Sequence, residues 1–269
     1  MKKLSILAVA FAAMTFAACG GNKTAQPTEQ KDTEKSFEQE QIEASIKMHF
    51  DSIASELGNL KQLPIVSKDG KLSITDQEKQ VKPDYLLNSS VADNAMTLSE
   101  KYRVLSALQV DKELAKLYDM PTDDYDKAIT KLAADINDPS FKAVDADASL
   151  YETSQALYDA MNQNGRINYF WQIVASSLVE ELYITTQNTE KFIGSFTDDA
   201  AANVTFRIFL IQDALGRLKQ YDPDLDPVVK AVDPLKVLDA ITVADFKKQL
   251  EEAKEMIATS RNTLVNLAK

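Results

Sequence analysis

The chain has 269 residues, 45% of them hydrophobic, which is enough apolar material for a sizeable core, while only seven glycines and eight prolines argue against a turn-rich all-β fold. A formal net charge of −11 excludes the basic footprint that nucleic acid demands and disfavours a body lying flat on anionic lipid. One cysteine and one histidine remove disulfide frameworks within the chain and polyhistidine zinc sites.

Lys2 and Lys3 precede an apolar stretch from Leu4 to Ala18, the layout of a secretory signal. As a helix that stretch rises about 22 Å, short of the ~30 Å hydrocarbon core of a bilayer. It ends in Phe16-Ala17-Ala18-Cys19, flanked by Gly20 and Gly21, small residues that let a peptidase approach the backbone closely. This tetrapeptide resembles the lipobox of bacterial lipoproteins, with Phe16 standing where Leu is commoner. The resemblance implies that the Cys19 thiol receives a diacylglyceryl group, that residues 1–18 are cleaved, and that the new amino group is acylated. Two or more buried acyl chains make a stable anchor, each CH₂ contributing on the order of 0.8 kcal/mol. The family pattern further implies delivery to the outer membrane when the residue after the cysteine is not Asp, and Gly20 fits it. The competing reading is an ordinary signal peptide with an incidental thiol. From Cys19 to Ser36 the chain has no large apolar residue and reads as a lipidated polar tether.

Helical periodicity begins after Ser36. Ile42, Ile46, Phe50, Ile53, Leu57 and Leu60 form one stripe, closed by Pro64. Within the less regular stretch that follows, residues 65–74 flank Asp69-Gly70 and fit either a small β-hairpin or a surface loop. Thr97-Leu-Ser-Glu100 is a capping box opening a helix to about Tyr118. Pro121 to Asp124 starts another, ending near Asn137-Asp138-Pro139, and Ala148 to Met161 a third, broken by residues 162–165. Residues 166–187 are the most apolar stretch after the leader and predict a central helix buried on most sides. Thr197 caps the next helix, reaching Tyr221; Asp233-Pro234 begins a short one, and Thr242 opens the last. That last helix carries Val243, Phe246, Leu250, Ala253, Ile257, Leu264 and Leu267 in near-heptad spacing, with Ser260 out of character. Its seam and that of the first helix suggest that the two pack together. The expected architecture is an all-α bundle or array of about eight helices over residues 37–269, with antiparallel neighbours. Tyr102-Arg103-Val104 with Tyr118-Asp119 parallels Phe206-Arg207-Ile208 with Tyr221-Asp222, a weak internal repeat or a chance similarity of amphipathic helices.

Chemistry-bearing patterns are sparse. His49 sits at the edge of the first helix's stripe and reads as a partly buried helix residue. Neither a Gly-x-Ser-x-Gly elbow nor a Gly-rich phosphate loop occurs in the sequence. Asp222, Asp224 and Asp226 imitate a calcium loop, but Pro227 and Asp233 occupy the places where an EF-hand needs Gly and Glu. No catalytic residue, cofactor or metal is therefore expected. The informative feature is charge inside apolar helices. The five arginines stand against twenty-five lysines, and Arg103 and Arg207 each lie between apolar neighbours. Glu180 and Glu181 fall in the central helix, where Asn168, Gln172, Ser176 and Glu180 form a polar stripe at i+4. In a structural reading, the arginines pair with Glu180, Glu181 or Asp213 and fix helix register. In a functional reading, Arg103 and Arg207 face a cleft lined by Tyr169, Trp171 and Tyr183, with Glu180 nearby, and receive an acidic or sugar-like ligand.

Three functions fit these observations. The first is a non-enzymatic interaction domain held to the membrane by the lipid on Cys19 and partnered by an envelope protein. The second is a solute- or lipid-binding lipoprotein with a small-molecule pocket near Trp171. The third is a hydrolase with two acids converging in a cleft.

Overall fold

Side-chain oxygens at the helix starts set the boundaries of most elements. The computed structural model describes residues 36–57, 74–143, 150–194 and 196–265, with the backbone alone described at 49–57, 143 and 150–153. Cys19, the tether before Ser36, the candidate hairpin, Leu267 and the side chain of His49 lie outside the described residues. Ser36 accepts the Gln39 amide and opens α1 (Phe37–Leu57). Thr97 accepts the Glu100 amide while the Glu100 carboxylate takes the Thr97 amide at 2.9 Å, completing the capping box ahead of α2 (Leu98–Leu117). Thr197 and Thr242 accept amides three residues on, at the starts of α7 (Asp198–Leu218) and α9 (Val243–Leu264). Left-handed Asn137, φ 49°, ends α3 (Asp123–Ile136). Between α4 (Leu150–Gln163) and α5 (Ile167–Gln187), Gly165 turns the chain at φ 67°, a conformation that favours glycine.

Two short helices complete the set. α6 (Thr189–Ile193) follows α5 directly, capped by Asn188. α8 (Asp226–Val232) begins at Asp226-Pro227 rather than at Asp233-Pro234, which opens a 3₁₀ turn over Asp233–Val237. Either Pro suits a helix start, where its missing N–H is not needed; the sequence reads the short helix at Asp233-Pro234 and misses the one before it. Short 3₁₀ segments at Glu78–Gln80, Ser89–Asn94 and Pro139–Ala143 fill the connections. Among the described residues the fold is all-helical with no strand, and no helix there is long and apolar enough to cross a membrane.

The described helices belong to one unit, Ser36–Lys269, built around α5. This helix packs against α2, α9, α4, α7, α6 and α8, so its sides are occupied nearly all round, as its composition predicts. Trp171, Phe170, Ile173, Leu178, Val179 and Leu182 enter the main core from it. At its far end Ile184 joins Leu114, Tyr118 and Phe192 in a smaller apolar cluster, packed by Ile74, Tyr85 and Leu86. Those last residues belong to a chain segment that crosses this end. Lys191 hydrogen-bonds Glu78 there, and with the Thr75 amide and hydroxyl holds the Glu78 carboxyl down to about 2. Residues 81–88 continue it as an irregular strap over α2 and α5.

Two expectations about packing need correction. The most extensive helix contact, α2 with α5, is a parallel pair: Arg103 meets Gln172, and Leu114 meets Ile184 further along both helices. The intervening α3 and α4 supply the return path, α3 running antiparallel to α2 through Lys112–Asp126 and Lys101–Asp135. Also, α1 lies against α7, while the seam of α9 is used by α5 and α8. Ser260 belongs to that seam because its hydroxyl bonds the Ala231 carbonyl of α8 at 2.6 Å. The proposed repeat units are not equivalent: Tyr102 is buried where Phe206 is exposed, and Asp119 is left-handed where Asp222 is extended.

The capping box is a local device whose loss leaves the core intact. Thr97→Ala is expected to lower unfolding free energy by about 1 kcal/mol, with Thr97→Ser close to wild type, in urea titrations followed by circular dichroism.

Candidate functional site

Along the polar stripe of α5, buried charge, arginine and aromatic side chains meet. Asn168 donates to Asp222 at its half-buried start. One turn on, the Gln172 oxygen accepts from Arg103 at 2.8 Å and its amide reaches Ser99. Ser176 donates to the Arg103 carbonyl at 2.8 Å. Glu180 takes three contacts of 2.6–2.9 Å from Arg261 of α9, a bidentate fork in which Nε also spans both carboxylate oxygens. Each step of the i+4 stripe therefore has its own partner on α2, α9 or the 222 loop.

Arg103 is buried and makes no carboxylate pair among the described residues; besides Gln172 it donates to the Leu264 carbonyl at 2.9 Å, tying α2, α5 and α9 together. Burial lowers its pKa, an effect only partly opposed by the charge of Glu100. Arg207 reaches Glu181 at 3.5 Å from the other side of α5, with both side chains buried. Asp213, a further candidate partner, pairs instead with Arg217 one turn along α7, at the surface. Of the expected cleft lining, Tyr183 covers the Arg261 guanidinium at 3.9 Å from ring centroid to carbon. Trp171 is buried and packs edge-on against Phe170 and Tyr158 of α4. Tyr169 stacks on Tyr102, whose hydroxyl bonds Asp138 and whose ionisation is pushed up by burial and by that aspartate. The structure thus joins Glu180 to Tyr183 through Arg261, and assigns Arg103, Arg207 and Trp171 to separate internal contacts.

Two members of the central cluster are absent from the sequence-based set. Arg261 lies one residue past Ser260 on the buried seam of α9. Asp111 lies on the stripe Val104, Leu108, Asp111, Ala115 of α2 and is fully buried. Their signal was the same in both cases, a charged residue at an apolar position of a helical stripe. Asp111 Oδ2 accepts the Leu87 amide at 2.6 Å and lies 3.9 Å from Arg261, which also donates to the Tyr85 carbonyl at 3.1 Å. Tyr125 of α3 closes the group by donating to the Leu87 carbonyl at 2.7 Å. Burial would lower the Arg261 pKa, but the hydrogen bonds and charge of Glu180, with Asp111 behind, raise it above its ordinary value.

Chemically, this arrangement fastens the strap to three helices. Two acids do converge, Asp111 and Glu180, but in the interior, where both are buried. The acids near 222–226 are occupied locally: Asp222 accepts the Asp224 amide, and Asp226 pairs with Lys219 and Lys230, whose hydrogen bonds lower its pKa. Among the described residues no group of three or more His, Cys, Asp or Glu side chains converges to hold a metal. No protein family, curated protein or solved structure matches this chain.

The two classes of arginine differ in expected weight. Arg261→Met leaves buried Glu180 without its fork and should cost about 3–5 kcal/mol. Arg217→Met removes a surface i,i+4 pair and should cost about 0.5 kcal/mol or less. Equilibrium urea unfolding of the two variants checks the contrast.

Proposed function

We propose that this chain is a lipid-anchored envelope lipoprotein whose helical domain is a non-enzymatic docking module for another envelope protein. The observation that carries the docking part is a group of exposed apolar side chains gathered around one anchor point. The Thr205 hydroxyl bonds the carbonyls of Leu238 and Ala240, and Gln212 bonds the carbonyl of Val232, seating α7 on the 232–240 segment. Around that anchor Phe209 is 63% exposed, Ile241 69%, Val237 45% and Phe206 38%. Large apolar side chains gathered at the surface mark protein interaction sites, and a rigid helix beside an irregular segment suits a partner helix. The internal engagement of Arg103 and Arg207 supports this reading over a ligand-binding one, because both guanidinium groups already serve the fold. The anchoring part rests on the sequence around Cys19, and Gly20 supports delivery to the outer membrane.

Native mass spectrometry of the protein extracted gently from its own envelope tests the docking. A protein partner at fixed stoichiometry is expected, lost in a Phe209→Ser, Ile241→Ser double variant that keeps the wild-type circular dichroism and melting temperature. A small-molecule adduct lost on replacing Arg103 and Arg207, with no protein partner, would overturn it in favour of a solute-binding lipoprotein. For the anchor, Cys19→Ala is expected to abolish incorporation of labelled palmitate and move the protein out of the membrane fraction. Membrane retention and labelling unchanged by that substitution would refute lipidation at Cys19.

A further inference from the structure

The charge balance beneath the strap is incomplete. Asp111 of α2, Glu180 of α5 and Arg261 of α9 are all buried, giving two carboxyl groups and one guanidinium. Arg261 commits its fork to Glu180 at 2.6–2.9 Å and stands 3.9 Å from Asp111, beyond hydrogen-bonding distance. Among the described residues Asp111 has one donor, the Leu87 amide on Oδ2, and its buried Oδ1 has no hydrogen-bond partner. Among the described residues, the other titratable or charged groups facing this point add no positive charge. They are Tyr125 of α3, Tyr85 of the strap, and Tyr183 of α5, whose ring lies on Arg261. On the 89–94 turn, which also packs against α2, Asp93 bonds Lys131, and both are largely exposed. Two ionised carboxylates sharing one cation in an interior site repel each other and lack solvation, and one proton removes the conflict.

We propose that Asp111 and Glu180 share one proton in the native fold, so that Asp111 is a neutral carboxylic acid hydrogen-bonded to Glu180, and that the strap is docked on this protonated pair. Burial first, and the Glu180 charge second, raise the Asp111 pKa well above the usual carboxylate range, outweighing the Leu87 amide and Arg261, which lower it. The consequence follows from proton counting. Below the ordinary aspartate range both folded and unfolded chains hold the proton, and the contribution to stability is complete. As pH rises through the unfolded value the unfolded chain releases its proton while the native fold keeps it. Over that window, up to the raised native value, the folding equilibrium constant falls about tenfold per pH unit from this one group.

The test compares wild type with Asp111→Asn on one pH grid from 5 to 9, by urea unfolding of the full chain. Asparagine still accepts the Leu87 amide and donates to Glu180 without titrating. The wild-type to Asp111→Asn ratio of folding constants is expected to fall with pH by up to tenfold per unit. A ratio that stays flat or rises with pH means that Asp111 is ionised throughout and overturns the proposal. Infrared spectra of wild-type protein labelled with ¹³C at aspartate carboxyls, in D₂O at neutral pD, give a readout that does not depend on the variant folding. One protonated aspartate carbonyl band is expected there, when solvated aspartates are all ionised, and its absence refutes the shared proton.

Discussion

Burying α5 on nearly every side is the constraint from which the rest of the structure follows. A helix surrounded by six others has no water to serve its polar side chains, so each must find a partner or be apolar. Ile173, Leu178, Val179 and Leu182 meet the demand by being apolar. Gln172, Ser176 and Glu180 meet it with fixed partners on α2 and α9. The second choice is the more expensive one, because desolvating a charge costs several kcal/mol before any pairing is gained. What it adds is register. If α2 slid by one turn along α5, Arg103 would lose Gln172 and Ser176 would lose the Arg103 carbonyl, each leaving a buried polar group unserved. An apolar interface of Leu and Val would tolerate that slip far better.

This explains how a parallel helix pair can be the principal contact of an α-helical fold. Parallel neighbours cannot be joined by a short loop, so local connectivity does not enforce their alignment. Here α3 and α4 intervene, and the alignment of α2 with α5 rests on side chains alone. Arg103 bridges the α5 stripe and the Leu264 carbonyl at the end of α9, and Arg261 ties α9 back to α5 and to the strap. The two arginines therefore tie α9 to α5 at two levels, Arg103 adding α2 and Arg261 the strap, which closes the end where the smaller apolar cluster would otherwise meet solvent.

The helices were legible in the sequence because their signals are local. A capping threonine, a stripe at helical spacing and a left-handed Asn or Gly are each complete within a few residues, and Thr97, Thr197, Thr242 and Gly165 act where sequence places them. Partner choice was not legible, because it depends on which stripes come to face one another. Glu180 was singled out correctly as an unusual charge, but its partner is Arg261, eighty-one residues away, and not Arg103 or Arg207. Asp111 was missed because one acid among the lysines and glutamates of α2 looks like a solvated face until the neighbouring Val104, Leu108 and Ala115 are seen to be buried. Short α6 and α8 and most of the 3₁₀ segments were missed for a different reason: pieces of three to seven residues carry too little periodicity to read.

The same economy of arginine bears on what the exterior can recognise. All five arginines are engaged within the fold: Arg103, Arg207 and Arg261 in the interior, Arg217 with Asp213, and Arg166 against the Tyr169 ring. The planar fork that reads carboxylates and phosphates bidentately is committed at Arg103, Arg207 and Arg261 to holding helices together, and most of the cations at the surface are lysines, point charges that discriminate poorly by geometry. On a strongly acidic chain, many of these lysines are themselves paired with neighbouring Asp or Glu, as Lys79, Lys131, Lys219 and Lys247 are. Selective recognition by such a surface falls to shape and apolar contact. The apolar side chains exposed around Thr205 stand on a helix whose opposite face is locked into the core through Arg207, Ile208 and Ile211.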